Sequence, residues 1–483
     1  MPNFVQCGGI RSFCEYLPDT PPIMLLKNLQ FVSALLLLTL LQACASGQKG
    51  KDTSGKTIVP GETCRSVSCL ADTSQKYSLF VPASYKEGKK CPVLICFDSH
   101  AEGLLPVNLF RKEAGKAGFI VAGSNNSKNG MATEATTALF RNLLADLQQR
   151  FTLDNAAVYL AGFSGGSRVA GAAAITEGNI AGVVGCGAGL PGLNQQPKTP
   201  FSYLAVVGAQ DFNYTEMRQL NEELEKAGFV HHLLIFDGIH QWPPETLVPD
   251  IFSWLQFDRM RRGCLPADRN IINAFIDLNY RKAQELGNAG NKIAEQETYQ
   301  MMRDYLQGLT DIAPLDAEIA GLGKDATVVQ QKAAQNALLE KEKGLQGAYA
   351  PAVQQKDPDW WKREAAKLHA LADKQPSNDE TRMYRRVLGY LSLNAYMVSN
   401  SALKQEDLTS ASRFIEIYKL VDPGNAEHRY MAAVVSARQG KTDEAFSNLA
   451  DAVKLGFKDY ARLRNDPQLD TLHRDSRFKI YMK

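Results

Sequence analysis

Between residues 75 and 260 the chain alternates two kinds of apolar pattern. Short, nearly continuous apolar runs at 77–81, 92–97, 119–123, 157–163, 182–187, 203–207 and 231–236 read as strands. Between and after them, helical segments are expected over 133–151, 215–228 and 247–261. Strands alternating with amphipathic helices predict an α/β fold, a mostly parallel sheet covered by helices on both faces. From about residue 265 the character changes. Gly becomes sparse within segments, Ala, Leu, Glu, Lys and Gln are abundant, and helical periodicity dominates. An all-α region is therefore expected to follow the α/β one.

The strand ending at Phe163 runs straight into Gly162-Phe163-Ser164-Gly165-Gly166, and a small-residue, helix-compatible run from Val169 to Ile175 follows. Strand, Gly-x-Ser-x-Gly and helix in that order are what a nucleophile elbow requires. The turn is so tight that Gly162 and Gly166 cannot carry bulky side chains. It lifts the serine hydroxyl out of the sheet, and the following helix points its N-terminal N–H groups toward the reaction centre. Downstream, the strand at 203–207 ends in Gly208-Ala209-Gln210-Asp211, and the strand at 231–236 ends in Asp237-Gly238-Ile239-His240-Gln241-Trp242-Pro243. The chain order Ser, Asp, His is that of the α/β-hydrolase triad. In those roles Ser164 attacks an ester carbonyl, His240 shuttles the proton, and Asp211 holds the imidazole. Asp237 is the rival acid, but it lies three residues before His240 and is placed to shape that loop. His231 and His232, adjacent on a strand, face opposite ways. No zinc-type spacing occurs, so neither a metal nor a cofactor is expected.

On these motifs, residues 75–260 resemble secreted feruloyl and acetylxylan esterases and polyhydroxybutyrate depolymerase-like hydrolases. The resemblance implies an α/β-hydrolase fold and hydrolysis of carboxylic esters, with acyl groups on carbohydrate as the first choice. It also implies an oxyanion hole built from two backbone donors. Gly165, directly after the nucleophile, supplies one. The other comes from the loop after the strand at 92–97, where the family often has His-Gly and this chain reads Asp98-Ser99-His100-Ala101. Ala101 is the expected donor, or Asp98-Ser99 if the loop register slips. The connection between 189 and 201 holds only about ten residues, too few for a lipase-like helical lid, so a shallow, open site is expected.

In the helical region, Ala411 with Ile415 is matched 34 residues later by Ala445 with Leu449. This resembles the tetratricopeptide repeat, in which small residues let paired helices pack closely. The repeats, near 392–458, lack the family's Trp and Tyr positions and are degenerate. Such arrays bind peptides or partner proteins, or act as braces. Trp360 and Trp361 read as packing residues.

Composition adds compartment rather than chemistry. The 483 residues are 45% hydrophobic with a net charge of +2, which permits a full core and offers no basic surface for nucleic acid. The apolar run from Phe31 to Leu41, after Lys27, is too short to span a bilayer and suits a secretory signal. Leu41-Gln42-Ala43-Cys44 resembles a bacterial lipobox, which implies lipidation at Cys44 and a lipid-anchored periplasmic or outer-membrane protein. Met24 is the expected true start. The expected domains are a signal at 1–43, a flexible tether at 44–62, the hydrolase at 63–263 and the helical region at 264–483. An exported protein permits disulfides. Cys64 with Cys69 is the cheapest local pairing, while Cys96 and Cys186, inside apolar runs, read as buried thiols. Two function classes compete: a serine esterase on a small or polymer-linked ester, with a peptidase of the same fold beside it, and a non-catalytic scaffold whose helical repeats bind a protein partner.

Overall fold

The computed structural model describes residues 50–192 and 196–481; the expected signal, Met24 and Cys44 lie outside them. Residues 50–57 form a unit of their own, a turn bridged between Lys51 and Thr57 in which the Asp52 carboxylate accepts from the backbone of Ser54 and Lys56.

The rest is organised by one eight-stranded sheet. Its strands are β1 (Thr63–Ser68), β2 (Lys76–Phe80), β3 (Cys91–Phe97), β4 (Ile120–Ser124), β5 (Leu153–Phe163), β6 (Gly182–Cys186), β7 (Ser202–Gly208) and β8 (His231–Phe236). They lie in the order β1-β2-β4-β3-β5-β6-β7-β8. Pairing is antiparallel for β1 with β2 and β2 with β4, and parallel from β4 onward. Side chains alternate across a strand, so each apolar run feeds two cores. Leu94, Cys96, Tyr159 and Ala161 face one side, and Val93, Ile95, Val158 and Leu160 the other. On the second side pack α2 (Thr133–Arg150), α3 (Gly165–Glu177) and α4 (Tyr214–Lys226). The first side takes α1 (Leu104–Ala117) and α5 (Val248–Arg261). This is the α/β-hydrolase arrangement, followed by a large helical region.

Strand β1 and helix α1 are elements the hydrophobic pattern does not announce. The sequence of β1 is Thr-Cys-Arg-Ser-Val-Ser, mostly polar, because it is the edge strand of the sheet. Its extension also decides the disulfide question. At about 3.3 Å per residue, the five steps from Cys64 to Cys69 span about 16 Å of extended chain, beyond disulfide reach. Cys69 is a buried free thiol, so the local bridge is not made; Cys96 and Cys186 are buried thiols too.

The helical region does not begin as a separate body. Helices α6 (Arg269–Asn288) and α7 (Lys292–Leu306) continue the first core, with Ile272, Phe275, Met302 and Tyr305 buried beside Trp254 of α5. The expected boundary at 263/264 runs through that core. Beyond α8 (Ala313–Gly323) come α9 (Ala326–Gln355), α10 (Pro358–Ala372), α11 (Asp379–Lys404), α12 (Leu408–Val421), α13 (Ala426–Arg438) and α14 (Thr442–Lys454). Side-chain N-caps such as Asp357, Asp407 and Asn425 start three of them. Trp361, Leu391 and Ile417 are buried in one helical core, and Ala411, Tyr430, Ala445 and Leu449 in the next.

Helix α11 is seated on the loop after β7. The Arg386 guanidinium donates to the carbonyl of Ala209 at 2.8 Å and to the buried carboxylate of Glu342 on α9. It also lies 4.4 Å from the ring of Tyr214. Gly389 lies directly against Phe212, where an added methyl group would sit 3.4 Å from the ring.

Candidate active site

Three loops at the carboxyl ends of β5, β7 and β8 meet. Ser164 follows β5 and caps α3 with φ 55° and ψ −120°, a conformation that non-glycine residues rarely adopt. It is held there by packing. A methyl group on Gly162 would lie 2.1 Å from the carbonyl of Gly166, and one on Gly166 would lie 2.0 Å from the carbonyl of Phe97. The Ser164 N–H donates to Cys186 on the neighbouring strand at 2.8 Å. As the first residue of α3, Gly165 keeps a backbone N–H with no acceptor inside the helix.

His240 Nε2 lies 2.9 Å from Ser164 Oγ, and its Nδ1 lies 2.9 Å from both carboxylate oxygens of Asp211. Asp211 is fully buried and accepts a further hydrogen bond from the Asn213 N–H at 2.8 Å. Asp237 is exposed and pairs instead with Arg382 at 3.9 Å and Gln210 at 3.4 Å. His231 hydrogen-bonds the carbonyl of Phe229, and His232 bonds Asp304 at 2.8 Å, on the far side of the strand. Among the described residues no cluster of His, Cys, Asp and Glu could hold a metal ion.

Two features escape a reading by motif. The His240 ring is sandwiched between Phe163 at 4.7 Å and Phe212 at 4.2 Å, which leaves it little freedom to swing away from Ser164. Gly187, at φ 65°, makes room for the line of groups; a methyl there would lie 3.1 Å from Asp211 Oδ2 and 3.2 Å from His240 Cε1.

The loop after β3 corrects the expected second donor. Ala101, in a left-handed conformation at φ 63°, spends its N–H on the carbonyl of Asp98 at 3.3 Å. The Asp98 carboxylate takes the N–H groups of His100 and Glu102 on one oxygen and the indole of Trp242 on the other. The loop is thus folded round Asp98, and its N–H groups from His100 to Glu102 are occupied. Ser99, just before them, is buried.

The site is open, as expected, but it is walled rather than shallow. Ser164, His240 and Phe212 line a cavity of about 670 Å³ whose opposite wall is Arg385, Leu388 and Tyr396 of α11 with Tyr418 of α12. The connection after β6 is short, and the helical region supplies one wall of the site. A second cavity, of about 540 Å³, lies on the other flank of the elbow, against Gly165, Asn129 and Arg168.

No protein-family model matches the chain, and no curated protein does. Among solved structures the chain is similar to an S-formylglutathione hydrolase from Staphylococcus aureus, at 14% identity over 38% of this chain and 90% of that one, with a TM-score of 0.31. It is similar to the feruloyl esterase module of Clostridium thermocellum at 12% identity, over 42% and 89% of the two chains, with a TM-score of 0.33. For esterase B of Lactobacillus rhamnosis the identity is 14%, the coverage 49% and 97%, and the TM-score 0.35.

Proposed function

We propose that the chain is a serine hydrolase that cleaves carboxylic esters through an acyl-enzyme. The observation that carries this reading is the hydrogen-bonded line from Asp211 through His240 to Ser164 Oγ, with the serine on a strained elbow. Ser164 Oγ attacks the ester carbonyl as His240 Nε2 takes its proton. The buried Asp211 carboxylate fixes the imidazole with Nδ1–H toward itself and stabilises the imidazolium that forms. The tetrahedral oxyanion is held by the Gly165 N–H, with the Ser99 N–H as second donor. His240 then protonates the leaving alcohol, and water repeats the sequence in reverse to free the acid and Ser164.

Carbohydrate as the acyl carrier is the finer part of the proposal and rests on family resemblance. So do lipid attachment at Cys44 and the reading of 392–458 as degenerate tetratricopeptide repeats. The buried small residues Ala411 and Ala445, one on each matched helix, support the repeats. In this proposal the helical region serves the enzyme as a wall of its site rather than only as a dock for a partner protein.

The deciding experiment is turnover of p-nitrophenyl acetate and methyl ferulate by the chain from residue 45 onward, beside Ser164→Ala. Activity should fall by about 1,000-fold or more in the variant while its circular dichroism is unchanged. Equal, background-level rates from two folded proteins would overturn the esterase and favour the scaffold or a peptidase.

A further inference from the structure

Three arginines lie close together on α11, and two are committed to acids. Arg382 pairs with Asp379 at 3.1 Å and with Asp237 at 3.9 Å, and Arg386 is bidentate to Glu342. Arg385 differs. Its guanidinium donates only to neutral acceptors: the carbonyl of Ala372 at 3.1 Å, the Gln210 side-chain oxygen at 3.1 Å and the Ser377 hydroxyl at 3.4 Å. Among the described residues it makes no ion pair, yet it lines the same cavity as Ser164 and His240. The acid on that cavity wall, Asp422, is occupied by the Ser392 hydroxyl at 2.7 Å and the Asn425 amide at 3.0 Å.

A cation in a half-enclosed cavity, held in place by neutral groups and given no counter-ion, is a ready site for an anion. We propose that Arg385 anchors a carboxylate on the substrate, so that the preferred ester carries a negative charge on the part lying against α11. The proposal rests on the esterase reading for its place in a reaction, although the anion site itself does not need the reaction. The carboxylate belongs either to a dicarboxylic acyl group or to an acidic sugar bearing the acyl group. Gln210 positions the arginine: it stands next to Asp211 and reaches Arg385 with its side chain, which couples the anchor to the catalytic loop.

The test has a binding arm and a turnover arm. In the Ser164→Ala protein, monomethyl glutarate should bind about tenfold or more tighter than methyl butyrate, as expected for a charge-assisted hydrogen bond. Adding Arg385→Gln should abolish that difference, and Arg385→Lys should restore part of it. In the active protein, kcat/KM for the p-nitrophenyl hemiester of glutarate should exceed that for p-nitrophenyl butyrate, and the ratio should collapse in Arg385→Gln. A larger gain for an O-acetylated glucuronoside over the matching glucoside would assign the charge to the sugar instead of the acyl group. Equal binding of charged and neutral esters, or a preference that survives Arg385→Gln, would overturn the anchor. Arginine-dependent binding without turnover would uphold the anchor and overturn the esterase.

Discussion

Asp211 does two jobs with one carboxylate: it holds His240 Nδ1 and caps the Asn213 N–H. Asp211→Asn keeps the shape but presents an amide N–H where the imidazole needs an acceptor. Ester turnover should fall by about 1,000-fold or more, with little change in KM, measured against p-nitrophenyl acetate. Ser164, Asp211 and His240, which the structure brings within hydrogen-bond distance, could be picked out together because each follows a strand and sits in a local pattern of glycines. The loop after β3 was not legible in the same way. Nothing in Asp98-Ser99-His100-Ala101 says that the aspartate will turn inward, bond Trp242 from 144 residues away and consume the N–H of Ala101.

At the scale of elements, the question is what holds the helices on the sheet. Glu342 and Arg386 are almost wholly buried, with side-chain exposures of 0% and 6%, and the arginine also holds the carbonyl of Ala209. Breaking such a pair leaves one charge buried without its partner. Glu342→Gln should therefore cost about 3 kcal/mol or more, read as a lower urea midpoint. A second clasp joins β8 to α7 through His232 and Asp304. Burial pushes the Asp304 carboxyl up, but the hydrogen bonds and charges of His232 and Arg303 more than offset this and hold it below the usual range. A carboxyl lowered on folding stabilises above its unfolded pKa, about 4, and loses that contribution as pH falls through the folded value. Asp304→Asn should thus be less stable than the parent at pH 7, and the gap should narrow steadily below about pH 4 in a series of urea titrations.

For the whole molecule, the sheet's first core extends past the expected domain boundary. Ile272, Phe275, Tyr299, Met302 and Tyr305 are buried there, and at about 2 kcal/mol each they contribute on the order of 10 kcal/mol. That is comparable with the entire stability of a typical domain. A chain ending at Gly263 should aggregate on expression. One ending at Gly323 should remain soluble by size-exclusion chromatography, because α6, α7 and α8 stay with the sheet. It would lack the α11 wall and should lose selectivity between charged and neutral esters. Among the described residues no helix is long and apolar enough to cross a membrane.

The sequence by itself determined what is local and periodic. Apolar runs alternating with amphipathic segments specify the parallel sheet and its helices, and glycine-bracketed strand ends mark Ser164, Asp211 and His240, the residues proposed as nucleophile, acid and base. What needed the tertiary structure was every contact between segments that share no period. The pairing of His240 with Asp211 rather than Asp237, the sandwiching of His240, and the wall that α11 adds to the site all depend on which distant surfaces meet. Arg385 and Gln210 touch across 175 residues of chain. A contact of that kind arises from packing one folded element against another, and no repeat or spacing along the chain records it.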